Sequence, residues 1–162
     1  MFKTNDLIRN AIIAALYAAL TISLAPLSYG PIQVRVSEFM TLLAFTNRKC
    51  LPGLVLGCFL ANIGSPYGVT DMVIGTLATF LAVYAMQFCP NLFTASLMPV
   101  IFNGVIIGAE LAYLAAIPAG TSVVATMFYI GAGEFVSVSV LGIVLAKLLM
   151  RNGVVRAYLS EW

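Results

Sequence analysis

The chain reads as long apolar runs divided by short polar or helix-breaking segments. Residues 10–34 carry no charge, and Pro26, Gly30 and Pro31 interrupt that stretch, so a first helix is expected over about 7–26. A shorter second helix is expected over about 33–46, ending at Asn47-Arg48-Lys49. A third lies between Pro52 and Gly64, followed by the turn signature Ser65-Pro66-Tyr67-Gly68. A fourth over about 70–88 stops before Pro90, which cannot supply a helix hydrogen bond. The fifth, about 96–117, ends at Pro118-Ala119-Gly120, and the sixth runs over about 121–149.

A membrane-crossing helix takes about 20 mostly apolar residues, so six would use about 120 and leave about 40 for ends and loops. The expected fold is all-α: one domain over residues 1–162, an integral membrane bundle of six transmembrane helices. The second and third helices are short for full spans and could sit tilted or partly inserted. Composition agrees. The chain is 62% hydrophobic and 9% charged, against about half and about a quarter in an average soluble domain. Lys3, Arg9, Arg48, Lys49, Lys147, Arg151 and Arg156 fall on one side of such a bundle and only Arg35 on the other. Cytoplasmic loops collect Lys and Arg, so both termini are expected inside. The opening segment, with Lys3 and Arg9 before an apolar run, imitates a signal peptide. Pro26 directly after Ser23-Leu24-Ala25 disfavours cleavage, so the segment is read as the first membrane helix.

Several function classes drop out. A net charge of +2 is too small to suggest nucleic acid. There is no His, and Cys50, Cys58 and Cys89 are an odd count without paired spacing, so no metal site or disulfide framework is indicated. No phosphate-binding glycine loop is present, so energy from ATP would have to come from another chain. No nucleophile–base constellation suggests an enzyme, and no cofactor is indicated.

The candidate chemistry lies in polar residues set in apolar helices. Glu110 falls about seven residues before the expected outer end of its helix, roughly 10 Å deep. Glu134 falls near the middle of the sixth helix. A charge at the centre of a span costs at least a few kcal/mol and usually faces the protein interior with a function. The alternative is a structural carboxylate bonded to a neighbouring helix. Asn62 lies at the outer end of the third helix. Asp71 opens the fourth, where a role as a helix-start acid is the stronger reading. Gln33, Arg35 and Glu38 cluster before and within the second helix. Arg35 and Glu38 are three apart, so an ion pair and a ligand contact stand level. Tyr113 could stack on a flat ligand, although it and Tyr129 are equally placed as membrane-interface anchors. Asn103 reads first as interhelical glue. On the first helix Ala11, Ala15 and Ala19, and also Ala14 and Ala18, recur every four residues, a spacing that lets another helix approach closely. Ala14/Ala18 is the favoured docking face, Ala15/Ala19 the other, and the stripe is placed in the inner half of the helix, away from the outer polar residues. Leu27–Gln33, with Gly30 and Pro31, is expected to form a lid, mobile without ligand and ordered with it.

Taken together, these segments resemble a known family. The quoted stretches are Ala14-Ala15-Leu16-Tyr17-Ala18-Ala19-Leu20-Thr21, Gly30-Pro31-Ile32-Gln33-Val34-Arg35-Val36-Ser37-Glu38 and Pro52-Gly53-Leu54-Val55-Leu56-Gly57-Cys58 with Ala61-Asn62. Asp71 with Gly75-Thr76-Leu77-Ala78-Thr79, Asn103-Gly104, Glu110-Leu111 and Gly133-Glu134 complete them. The chain resembles the QueT family of substrate-binding S-components of energy-coupling factor (ECF) transporters, from about Ala11 to Lys147. The resemblance implies a bacterial cell-membrane protein that binds a queuosine precursor, a 7-substituted 7-deazaguanine, from outside. It implies docking through the alanine helix onto a transmembrane coupling subunit joined to two ATPases. It implies that Glu110 and Glu134 take the guanine-like edge and, where the substituent is aminomethyl, its cation, with the order of the two acids open, Asn62, Gln33 or Arg35 completing a polar ring and Glu38, Asp71 and Tyr113 as further contacts. The competing readings are an S-component for another vitamin-like ligand and a small stand-alone transporter using Glu110 and Glu134 as a proton relay.

Overall fold

The computed structural model describes residues 4–30, 32–114, 116 and 119–153. Lys3, Arg156, the helix stop at Pro118 and the lid residue Pro31 lie outside the described residues. Among the described residues all regular structure is helical, with six longer elements besides the short turns Ala25–Ser28 and Arg48–Cys50. The six are α1 (Thr4–Ser23), α2 (Val36–Thr46), α3 (Leu51–Asn62), α4 (Val69–Met86), α5 (Leu92–Tyr113) and α6 (Val123–Leu149). Four of them, α1, α4, α5 and α6, are long and apolar enough to cross a membrane. The 12 residues of α3 extend only about 18 Å, and α2 begins as a 3-10 helix over Val36–Leu42. These are the two elements whose sequence pattern was already short.

Local chemistry sets the boundaries. Pro26 does not close α1 at the expected residue 26; it sits in the first turn of a separate one-turn helix, Ala25–Ser28, where a missing N–H costs nothing. Ser65–Gly68 is the expected turn, closed by the Gly68 N–H on the Ser65 carbonyl at 3.2 Å. Gly68 has φ 65° and ψ −142°, a region open essentially to glycine alone. Helix α5 starts four residues earlier than expected because Asn91 and Thr94 form a reciprocal cap. It also ends earlier, at Tyr113. Helix α6 contains a π-helical stretch, Phe135–Gly142, which apolar spacing does not signal.

Successive helices run up and down. At one end Lys49 bonds Asp6 at 3.2 Å, and Asn10 accepts from the Gly53 N–H at 2.6 Å, so α1 and α3 begin together. At the other end Arg35 meets Asp71, joining the starts of α2 and α4. Glycines set the close approaches. A Cβ on Gly57 would stand 2.8 Å from the Tyr17 Cβ and 3.0 Å from the Ala14 Cα, so α1 and α3 touch backbone to backbone. Gly104 and Gly108 do the same for α5 against Met127 and Gly131 of α6.

This packing decides between the alanine rows. Ala14 and Ala18 are buried inside the bundle; α3 already occupies the favoured docking face. Ala11, Ala15 and Ala19 face outward. The outer surface is otherwise aliphatic and aromatic, with Leu7, Ile12, Val73, Ile101 and Val124 at least half exposed, which suits lipid tails.

Candidate functional site

The buried polar residues gather toward the end of the bundle opposite Lys49. Arg35, immediately before α2, is 3% exposed and its Nη2 lies 3.5 Å from Asp71 Oδ2. Its Nε donates to the Ser28 carbonyl at 3.4 Å, and its guanidinium stands 5.5 Å from the centre of the Tyr29 ring. Burial alone would lower the Arg35 pKa, but the surrounding acids, Asp71 foremost, outweigh it and hold the group charged. Asp71 therefore serves as more than a helix-start acid: it makes no side-chain cap. The Asn62 amide donates to its carbonyl at 3.0 Å, tying α3 to α4. Gly75 makes room, since a Cβ there would lie 2.6 Å from Asp71 Oδ1 and 2.7 Å from Asn62 Nδ2.

Glu38 is fully buried, and the Tyr17 hydroxyl donates to its Oε1. The salt bridge of Arg35 is with Asp71, 36 residues along the chain at the start of α4, and not with Glu38 at i+3. Glu134 accepts at Oε1 from Asn103 Nδ2 at 2.9 Å, so Asn103 does join α5 to α6, through a functional candidate. Gln33 is 2% exposed and has φ 47°, a left-handed backbone rare for a residue with a side chain. Strain of this kind costs of order 1–3 kcal/mol and collects at ligand clamps. The strand of chain carrying it lies on Gly133, where a Cβ would run into the Ile32 carbonyl. Glu110 is buried one turn from the end of α5, about 4.5 Å along the helix rather than 10 Å.

Electrostatics connects these groups. Glu134 feels the charges of Glu38 and Arg35, and Glu110 those of Asp71 and Arg35. Four acids thus surround one arginine. At the rim, burial and then Asp71 raise the Tyr67 pKa, keeping it a neutral hydroxyl. Many side-chain atoms here are buried without a hydrogen-bond partner. They include Glu38 Oε2, Glu134 Oε2, both Glu110 carboxylate oxygens, Asn62 Oδ1, Asn103 Oδ1 and Gln33 Nε2. Buried polar groups are nearly always bonded, and an orphaned one costs about 1–3 kcal/mol. These groups are polar positions at which water or a ligand can supply the missing partners.

Gln33, Arg35, Glu38, Asn62, Asp71, Glu110 and Glu134 are therefore all buried, with Arg35, Asn62, Asp71 and Glu110 toward the end opposite Lys49 and Glu134 near the middle of α6. Tyr113 is not with them: it is 87% exposed, as is Tyr129 by half, because both lie on outward faces. Sequence reasoning missed Tyr17 and Tyr29 as supports of Glu38 and Arg35. Tyr17 shares the helix face of Ala14 and Ala18, and a phenol among small residues was the available signal. The segment from Leu27 to Gln33 lies against the cluster through Ser28, Tyr29 and Gln33, while Leu27 and Ile32 are exposed. Two surface grooves occur elsewhere. One is lined by Leu16, Leu20, Phe39 and Leu149 among others, the second by α5 and α6 side chains, and neither includes these polar residues.

Comparison with known proteins follows this geometry. A family described as QueT transporter matches residues 7–151. The chain is 41% identical over 90 residues to a protein of Lactococcus lactis subsp. cremoris (strain MG1363) called queuosine precursor transporter QueT. That match covers 53% of each chain, so it spans about half the length of the curated relative. No solved structure matches.

Proposed function

Because this chain belongs to the QueT transporter family, we propose that it is the membrane-embedded binding subunit of an ECF-type importer for a queuosine precursor, a 7-substituted 7-deazaguanine. The family is one of transporters, not enzymes. The relative's name supports the ligand class, and one observation carries the reading to this chain: the group of buried, unpartnered acceptors toward one end of the bundle. A guanine-like edge presents adjacent N–H donors and a carbonyl. Glu110 has both carboxylate oxygens unpartnered, the arrangement needed to accept two parallel N–H groups, and charge-assisted bonds of that kind are about twice as strong as neutral ones. The unpartnered Gln33 amide nitrogen suits the ring carbonyl.

The same reading supplies the partners. The bundle has six helices, four of them candidate spans, and the proposed topology passes all six through the membrane with both termini cytoplasmic. The outward alanine row of α1 would meet the coupling subunit, which two ATPases drive. Leu16 and Leu20, next in sequence to Ala15 and Ala19, line an apolar groove of about 300 Å³ completed by α2 and α6, room into which a partner helix could pack. Liposome uptake tests the assignment. The chain alone should bind deazaguanine without accumulating it, and accumulation should require the coupling subunit, the ATPases and ATP. Proton-driven accumulation by the chain alone contradicts it.

A further inference from the structure

The acids of the cluster are not equivalent, and their differences assign them. This step rests on the proposed deazaguanine site and divides it. Glu110 keeps both oxygens unpartnered. Glu38 and Glu134 each have one oxygen committed, to the Tyr17 hydroxyl and to the Asn103 amide, and one left over. Both side chains are at most 2% exposed, and they come from α2 and α6, which pack on each other. Gly142 shows how closely: a Cβ there would lie 3.3 Å from the Phe39 Cα. Glu134 also sits at the last α-helical turn before the π stretch of α6, and π insertions are frequent where a helix aims a functional side chain.

We infer that Glu38 and Glu134 together form a subsite for a primary ammonium group, the terminus of the ligand's 7-substituent, while Glu110 takes the guanine-like edge. A carboxylate with one oxygen already engaged offers a parallel pair of N–H groups only the remaining lone pair on that side, so Glu110, with both oxygens open, is the better fork acceptor. Two singly open carboxylates on facing helices suit an ammonium, which radiates three donors from one nitrogen. Asn103 Oδ1, buried and unpartnered on the same side, can accept the third. Charge balance favours the same group. Arg35 is paired with Asp71, so the Glu38–Glu134 side has no cation of its own in contact. Two buried carboxylates repel unless a cation or proton lies between them. Tyr17 and Asn103 act as positioning residues: each fixes one oxygen and thereby turns the other toward the ligand.

The test compares two ligands differing only at the substituent, 7-aminomethyl- and 7-cyano-7-deazaguanine, titrated into the purified full chain. The wild-type chain should bind the amine at least about tenfold more tightly, because the nitrile has no charge-assisted donor. Equal affinity, or preference for the nitrile, overturns the subsite whatever the variants do. In Glu134→Gln and Glu38→Gln the amine-over-nitrile ratio should fall at least about tenfold, and in Glu110→Gln the two ligands should weaken together. If Glu110→Gln alone collapses the ratio, the assignment of the acids is reversed and the inference is wrong. Tyr17→Phe, which removes only a hydroxyl, should reduce the ratio in the same direction as Glu38→Gln; an unchanged ratio removes its positioning role. Binding of neither ligand refutes the deazaguanine reading itself, which separates the two failures.

Discussion

At the scale of single residues, the useful distinction is between a buried carboxylate that is satisfied and one that is not. Glu38 and Glu134 are half satisfied by Tyr17 and Asn103, and Glu110 is not satisfied at all. Glu110→Gln preserves shape and removes charge, so it should weaken deazaguanine binding by more than about tenfold while the thermal unfolding midpoint holds or rises. Titration beside a melting curve checks both. Unchanged affinity would remove Glu110 from the site. Glu110 and Glu134 were legible in the sequence because a carboxylate inside an apolar helix demands an explanation. Their supports were not. Tyr17 lies 21 residues from Glu38 and Asn103 lies 31 from Glu134, and nothing local to either pair says that the chain brings them together. Tyr113 was misplaced for the opposite reason. Its spacing from Glu110 looked favourable, since residues three apart lie only about 60° around a helix from each other, but Tyr113 is the last residue of α5 and is left exposed there.

At the scale of elements, the two proposed roles of α1 fall on opposite faces. Tyr17 points inward to Glu38, between the outward Ala15 and Ala19. The outward alanine row and the buried polar cluster thus lie on opposite faces of the same helix. The spacing of four shows two alanine rows, of which Ala14/Ala18 is the one favoured from sequence; α3 packs on Ala14 instead, which leaves Ala15 and Ala19 as the outward row. Ala15→Trp with Ala19→Trp should abolish co-purification with the coupling subunit, because a bulky side chain holds helix backbones apart. Ala14→Trp should instead lower the yield of folded protein, since it drives into α3. Complex formation that survives the Ala15/Ala19 pair contradicts the docking face. The segment between α1 and α2 rests on the cluster through Tyr29 and Gln33. Amide hydrogen exchange over the described residues of Leu27–Gln33 should slow when ligand is added. Equal exchange with and without ligand contradicts a lid.

At the scale of the molecule, helix existence and order were readable from where charge is absent and where Pro, Gly and Asn interrupt. The boundaries that moved were those decided by caps and turns, as at Asn91 and Pro26. The π stretch of α6 was invisible because it changes the hydrogen-bond register without changing composition. Arg35, the basic residue at the end of the bundle opposite Lys49 among the described residues, is buried against Asp71 and offers little charge to solvent. The bundle thus presents an apolar exterior, a basic end and a buried acidic cluster near the opposite end. On the proposed function this cluster captures the ligand by itself, without nucleotide or partner chains. Calorimetric titration of the purified chain with 7-aminomethyl-7-deazaguanine is the test. Saturable one-to-one binding in the absence of ATP is the predicted result. A chain that unfolds cooperatively on heating, and so is folded, yet shows no binding heat and no ligand-induced rise in its melting temperature, would contradict it.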